Sequence, residues 1–324
     1  MPTVCLGAHL DAARGSLPRL GHYAASLIQH KRPESAALAM LAMCLIGIGW
    51  GWFALLAVVM TRRGPLAIDQ QAYAAMAALR NPLADRFMAA LASLGDLQIL
   101  LPALALSLCW LLWRRRFAAA MHWLAAVAFG FAFTAFLALS VEMPRPPTAL
   151  DGFGFPSIPV TMLTIVFGFF AVLIAREMPG RQRVWPYLVA GVAVALPGFA
   201  RLYFGAHWLS DIVGGALFGI LWLLVLGIAY RRHIGRSFWM RPVATVFYLS
   251  FAIAALWHAP RSVDGVLAQF APPPPTRQLT TEDWWHREWR SLPMRRNERD
   301  PNRRWPLDVQ IAGPLAPVRA RLEA

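Results

Sequence analysis

Charge is scarce in this chain, and lysine almost missing. Charged residues make up 15% of the sequence, and Lys31 stands alone among the 31 Lys and Arg residues. An ordinary soluble domain carries about a quarter charged residues. Polar-faced helices and alternating strands of the soluble kind are also missing, which excludes a water-soluble fold of this length. Cysteine is equally sparse. Cys5, Cys44 and Cys109 have no metal-ligand spacing and no evident disulfide pairing, and two of them lie in apolar stretches. Residues 1–33 are polar and hold no apolar core of the signal-peptide kind, so the first apolar stretch is expected to act as an uncleaved anchor.

What is there is hydrophobic sequence, 58% of the whole. Apolar runs of about 17–25 residues are long enough to cross a hydrocarbon core roughly 30 Å thick. Seven spans are expected: Ala36–Met60, Leu97–Trp113, Phe117–Val141, Ile158–Ala175, Val184–Ala200, Leu209–Tyr230 and Val243–His258. The fold class is all-α, a polytopic membrane helix bundle with six core spans and a seventh. The chain divides into an N-terminal segment 1–33, a membrane domain 34–258 and a tail 259–324.

A net charge of +14 raises the question of nucleic acid, but its distribution answers against that partner. Fourteen basic residues precede span one or follow spans two, four and six, among them Arg114, Arg115, Arg116, Arg181 and Arg183. The loops after spans one, three and five hold six: Arg62, Arg63, Arg80, Arg86, Arg145 and Arg201. The positive-inside rule places the richer side in the cytoplasm. This predicts a multi-pass protein of a bacterial-type cell membrane, its other loops facing the periplasm or exterior.

The loop from Thr61 to Asp96 mixes apolar residues with Asp69, Arg80, Asp85 and Arg86, and reads as short amphipathic helices on the outer surface or as a plain connector. Pro272–Pro275 mark a stiff linker. Trp284, Trp285 and Trp289 among arginines beyond it suit an interfacial helix. Gly47, Gly49 and Gly51 in span one, and Gly215 and Gly219 in span six, are read as helix-packing positions, the last pair at small-xxx-small spacing.

Three polar stretches fall at the outer ends of spans three to six: "EMPRPP" with Arg145, "GFPSIPVTM" with Ser157, and "RLYFGAHWLSD" with Arg201, His207 and Asp211. His207 and Asp211 are four apart and share a face on one helical turn. A carboxylate on one imidazole nitrogen fixes the tautomer and leaves the other to attack. Two arginines hold a phosphoryl group in charge-assisted forks. The start of span six is expected to add its positive dipole end. Taken singly, such an arginine is a snorkelling headgroup contact, and such a histidine–aspartate pair a satisfied polar bridge.

The pattern R-x-x-x-x-x-H-x-x-x-D over Arg201–Asp211, continued as "HWLSDIVGGALFG", resembles the third signature of the type 2 phosphatidic acid phosphatase family, an acid phosphatase and haloperoxidase-like group. "FPS" with "VTM" resembles the flanks of the second signature, and "RP" at Arg145–Pro146 the end of the first. The resemblance spans about residues 60–230. It implies a six-helix membrane fold that takes phosphorylated lipids through a phosphohistidine. His207 would be the nucleophile and Asp211 its partner; Arg145, Arg201 and Ser157 would bind phosphate. No metal or cofactor is implied.

Two signatures are incomplete. The first calls for lysine where Ala138 stands; the second, P-S-G-H, reads Pro156, Ser157, Ile158, Pro159, so the general-acid histidine is replaced. A positioned general acid is worth ~100- to 10,000-fold, and a diphosphate lipid, with its better leaving group, depends on it less. Glu142 and His258 are conceivable substitutes. Three readings stay open: a lipid phosphatase or phosphotransferase biased toward diphosphate lipids, a catalytically impaired relative that binds lipid headgroups or a protein partner, and a transporter. The tail, with "WRSLPMRR" and "DVQIAGPL", is similar to the start of an LssY-type C-terminal region.

Overall fold

The computed structural model describes residues 33–62, 64–149, 152–233 and 241–271, with short pieces between 280 and 321. The N-terminal segment, the tetraproline, Trp289 and most of the LssY-like tail lie outside the described residues. Among the described residues, nine α-helices carry the chain from Pro33 to Gln269: α1 (Pro33–Arg62), α2 (Ala67–Ala78), α3 (Pro82–Ser93), α4 (Leu97–Trp113), α5 (Phe117–Val141), α6 (Ile158–Glu177), α7 (Val184–Tyr203), α8 (Leu209–His233) and α9 (Arg241–Gln269). In the tail, α10 (Thr281–His286) leaves Trp285 exposed, and Arg295–Arg296 pairs with Trp305–Pro306 in a two-residue ladder.

Seven stretches of these helices are long and apolar enough to cross a membrane. Their outer faces carry large apolar side chains turned away from the protein, such as Trp50 at 76% exposure, Trp113 at 77% and Leu256 at 77%. A water-soluble surface does not present so many, whereas a lipid-facing one must. This is a multi-pass, all-α membrane bundle.

Helix α6 is its axis. Val160, Leu163, Ile165, Val166, Phe170 and Ala171 are almost fully buried there, and α6 packs against α5, α7 and α8. Phe170 stacks on Phe247 of α9 with ring centroids 4.4 Å apart, and Trp123 of α5 completes the aromatic cluster. The Gly215 and Gly219 pair lets α8 lie close on α6. A Cβ added at 215 would stand 2.8 Å from the Ser157 carbonyl oxygen, and one at 219 would stand 2.7 Å from Thr164 Cβ. Span one behaves differently from expectation. Only Gly49 meets a neighbour, Leu221 at 3.6 Å, while Gly47 and Gly51 face open space. α1 is peripheral, and only one of its faces touches α8.

Two further expectations need correction. The 61–96 segment does form two short helices, but they fold into the bundle instead of lying on a surface: Asp69, Ala89, Ala92 and Ser93 are buried. The seventh span does not stop at His258. α9 continues to Gln269 and packs along both α4 and α3, so the 258 boundary falls inside a helix. Pro260, two residues past that point, is accommodated within it.

Candidate active site

All five residues singled out from the sequence lie at one end of the bundle. The loop between α5 and α6 doubles back on itself: Pro144 pairs with Phe153, and the Gly154 N–H donates to the Met143 carbonyl at 2.9 Å. Arg145 is half-buried in this loop and spends its Nε on the Phe153 carbonyl, 3.1 Å away. Gly154 lies directly on the Asp211 carboxylate and the Arg145 stem, so the loop and the start of α8 are in contact. The Ser157 N–H donates to the Asp211 carbonyl at 3.0 Å and fixes the start of α6 beside them.

The turn before α8 holds His207. Gly205 adopts φ +62°, a backbone state open to glycine, and Thr148 donates to the Phe204 and Gly205 carbonyls. His207 is buried, with Nδ1 3.5 Å from Asp211 Oδ2. That separation is longer than a formed hydrogen bond. The same Oδ2 accepts the Trp208 N–H at 2.9 Å. Burial lowers the His207 pKa from its usual value; Asp211 opposes the shift, and the charges of Arg145 and Arg201 add to it. The shift favours the neutral imidazole, the form a nucleophile requires.

The start of α8 is not an open dipole end, contrary to expectation. Asp211 takes the Trp208 N–H, and Asp69 takes both the Ser210 N–H and the Ser210 hydroxyl at 2.8 Å. Asp69 also accepts the Leu66 N–H at 2.9 Å. Two carboxylates thus satisfy the exposed amides there. Asp69 is a structural anchor that sequence reasoning placed on the surface; an acid in the first turn of a short amphipathic helix gives no hint of a partner 141 residues away.

Arg201 approaches from the opposite flank. Its Nη2 donates to the Ala92 carbonyl and to Asp96 Oδ1, both at 3.0 Å. The end of α7 is fixed by a second polar cluster, in which Asp85 accepts Arg80 at 2.9 and 3.1 Å and the Tyr203 hydroxyl at 2.6 Å. Arg80 also reaches the Phe270 carbonyl, tying in the end of α9. Of the positions that depart from the signatures, Pro159 is half-buried one residue into α6, against Gly95, and Ala138 sits in the last turn of α5. Glu142 is exposed just after α5, while His258 lies 3.9 Å from Asp96.

Six buried side-chain polar atoms lack a hydrogen-bond partner among the described residues, and four belong here: Ser157 Oγ, Arg201 Nε, His207 Nδ1 and Asp211 Oδ1. Buried polar groups are almost always paired in folded proteins, so such a concentration makes this end the candidate site. Beneath it an apolar cavity of about 680 Å³ opens between α6, α7 and α8. It begins at Val160, Gly198 and Ile212, next to Pro159 and Asp211, and runs to Gly227, His122 and Tyr187. The α8 wall from Ile212 to Gly227 is about 22 Å long at 1.5 Å per residue.

Residues 140–235 match the PAP2 superfamily. That segment of the chain is similar to PAP2 proteins. The matched segment contains all five site residues. Phosphatidylglycerophosphatase B of Bacillus subtilis (strain 168) is 25% identical over 176 residues, covering 52% of this chain and 87% of that protein. The crystal structure of the first transmembrane PAP2 type phosphatidylglycerolphosphate phosphatase, also from Bacillus subtilis, superposes with a TM-score of 0.52 at 20% identity. It covers 59% of this chain and 98% of the other. The two chains share a fold. Asp85, Asp96 and the whole of α9 fall outside the 140–235 match, although all three touch the turn that carries Arg201 and His207.

Proposed function

We propose that this protein is a PAP2-type integral membrane lipid phosphatase or phosphotransferase that works through a phosphohistidine on His207. The observation that carries the reading is the set of unpaired buried polar atoms beside residues that line a long apolar cavity. A ligand that satisfies both is a phosphorylated lipid: anionic and rich in acceptors at one end, apolar for about two nanometres at the other. The relatives named above are phosphatases of such a lipid.

The chemistry follows from the residues. With Asp211 on the Nδ1 side, the His207 Nε2 lone pair is directed at phosphorus. Arg145 and Arg201 flank the ring and stabilise charge spreading over the phosphoryl oxygens. The Ser157 hydroxyl donates to one of those oxygens. Attack breaks the bond to the lipid oxygen and leaves a phosphoryl group on His207, which water or a second acceptor then removes. The site faces the exterior, opposite the arginine-rich loops 114–116 and 181–183.

The test is phosphate release by purified protein from monoester and diphosphate lipids. Wild type should turn over at least one class, and His207→Asn should abolish it together with the acid-labile phosphoenzyme. Turnover of neither class, with headgroup binding unchanged in His207→Asn, would instead establish a non-catalytic headgroup-binding relative. A reporter fused at residues 114–116 should read as cytoplasmic.

A further inference from the structure

An alkoxide leaving from a phosphate monoester needs a proton, and Pro159 has none to give. Glu142 is exposed just after α5, and three further acids of this end are committed elsewhere. Asp69 is sealed against Ser210 and Leu66, Asp85 is held by Arg80 and Tyr203, and Asp211 closes the start of α8 and faces the nucleophile.

Asp96 is different. It occupies the N-cap position of α4, where an aspartate ordinarily accepts an N–H of the first turn, yet its side chain makes no such bond. Its carboxylate turns the other way, placing Oδ1 3.0 Å from Arg201 Nη2 and Oδ2 3.9 Å from His258 Nε2. The adjacent Gly95 explains why it reaches so far in. A Cβ at Gly95 would stand 3.2 Å from Arg201 Nη2 and 3.3 Å from Pro159 Cβ, so the turn before α4 nestles against the position where the second signature departs. Asp96 and Arg201 also border a polar cavity of about 120 Å³, lined as well by Ala206, next to His207, and by Gln269 of α9. That volume accommodates water, which needs ~10–15 Å³ of such space and several polar partners.

Resting on the histidine-phosphatase reading above, we propose that Asp96 is the acid–base residue of this site and that His258, brought by the seventh span, is its positioning residue. A phosphoryl dianion that binds Arg201 deprives Asp96 of its cation and sets a second anion beside it, the condition under which a carboxyl group keeps its proton. His207 Nε2 attacks phosphorus and the P–O bond to the lipid breaks. The departing oxygen takes the Asp96 proton and leaves as an alcohol. A water from the small cavity then returns a proton to the Asp96 carboxylate while its oxygen attacks the phosphohistidine. The P–N bond breaks, inorganic phosphate leaves, and His207 and protonated Asp96 are restored.

Purified full-length protein is assayed on two monoesters, a diacylglycerol phosphate with an alkoxide leaving group and 4-nitrophenyl phosphate, whose phenolate needs little protonation. Asp96→Asn keeps an oxygen for Arg201 but cannot give a proton. Its kcat should fall 100-fold or more on the lipid and at least tenfold less on the aryl ester. Asp96→Glu should recover part of the lipid activity, and His258→Gln should show the same preference more weakly. Equal losses on both esters would reduce Asp96 to a support for Arg201 and overturn the proposal; unchanged activity in Asp96→Asn would do the same. Wild type inactive on both esters, with no phosphoenzyme, would sink the phosphatase reading itself, a result distinct from either.

Discussion

Gly154 is the residue whose smallest change should damage this site most. A methyl group added there would stand 2.6 Å from Asp211 Oδ2 and 3.3 Å from Arg145 Cγ. Ordinary contact begins near 3.4 Å, so the carboxylate would have to retreat by about 0.8 Å. Its Oδ2 holds the Trp208 N–H at 2.9 Å and stands 3.5 Å from His207 Nδ1, and both relations would be lost or lengthened. Overpacking of this kind costs about 1–3 kcal/mol of stability. Misplacing a catalytic group by about 1 Å costs roughly 100-fold in rate, or about 2.7 kcal/mol of barrier. Gly154→Ala should therefore lose roughly 100-fold in kcat for phosphate release while remaining folded, with its melting temperature reduced by a few degrees. Gly51→Ala, whose added methyl meets nothing within 4 Å, serves as the control and should match wild type. Retention of kcat within about twofold in Gly154→Ala would refute the idea that the carboxylate's placement governs the imidazole.

Other expectations follow from the same geometry. Asp69→Ala removes the acceptor of three donors, Leu66 N–H, Ser210 N–H and Ser210 Oγ–H, at about 1–3 kcal/mol for each one left buried. Thermal unfolding in detergent should shift down by several degrees, and an unchanged midpoint would mean water replaces the carboxylate. The His207 pKa is depressed by burial, then by Arg145 and Arg201 against the opposing pull of Asp211. The unfolded chain therefore binds more protons than the folded one between that lowered value and about 6.5, the ordinary histidine value. Its contribution to stability is flat above about 6.5 and declines as pH falls below that value. The acid limb of kcat/KM set by His207 should likewise lie below about 6.5, and Arg145→Gln should move it upward; a limb unmoved in that variant would separate Arg145 from the imidazole's field.

Much of this protein follows from its amino-acid order alone. Apolar runs the length of a bilayer leave a helix as the state that satisfies their backbone without water. That fixed six of the spans within a few residues, and the spacing of Gly215 and Gly219 announced the close contact of α8 with α6. The pair His207 and Asp211 was legible for the same reason: four residues on one helical turn are neighbours by local geometry. Chain order is silent about partners brought together across loops. Nothing in "AIDQQ" tells that Asp69 closes the start of a helix 141 positions later, and nothing in "LGDLQ" tells that Asp96 gives up its own helix cap for Arg201. Those choices are made when α2, α3 and α9 fold over the end of the bundle. There, the desolvation of each charge is tolerable only if another chain segment supplies its partner. Local periodicity and transfer energy are properties of a segment, and the sequence carries them; the pairing of buried charges is a property of the assembled bundle, and only the tertiary structure decides it.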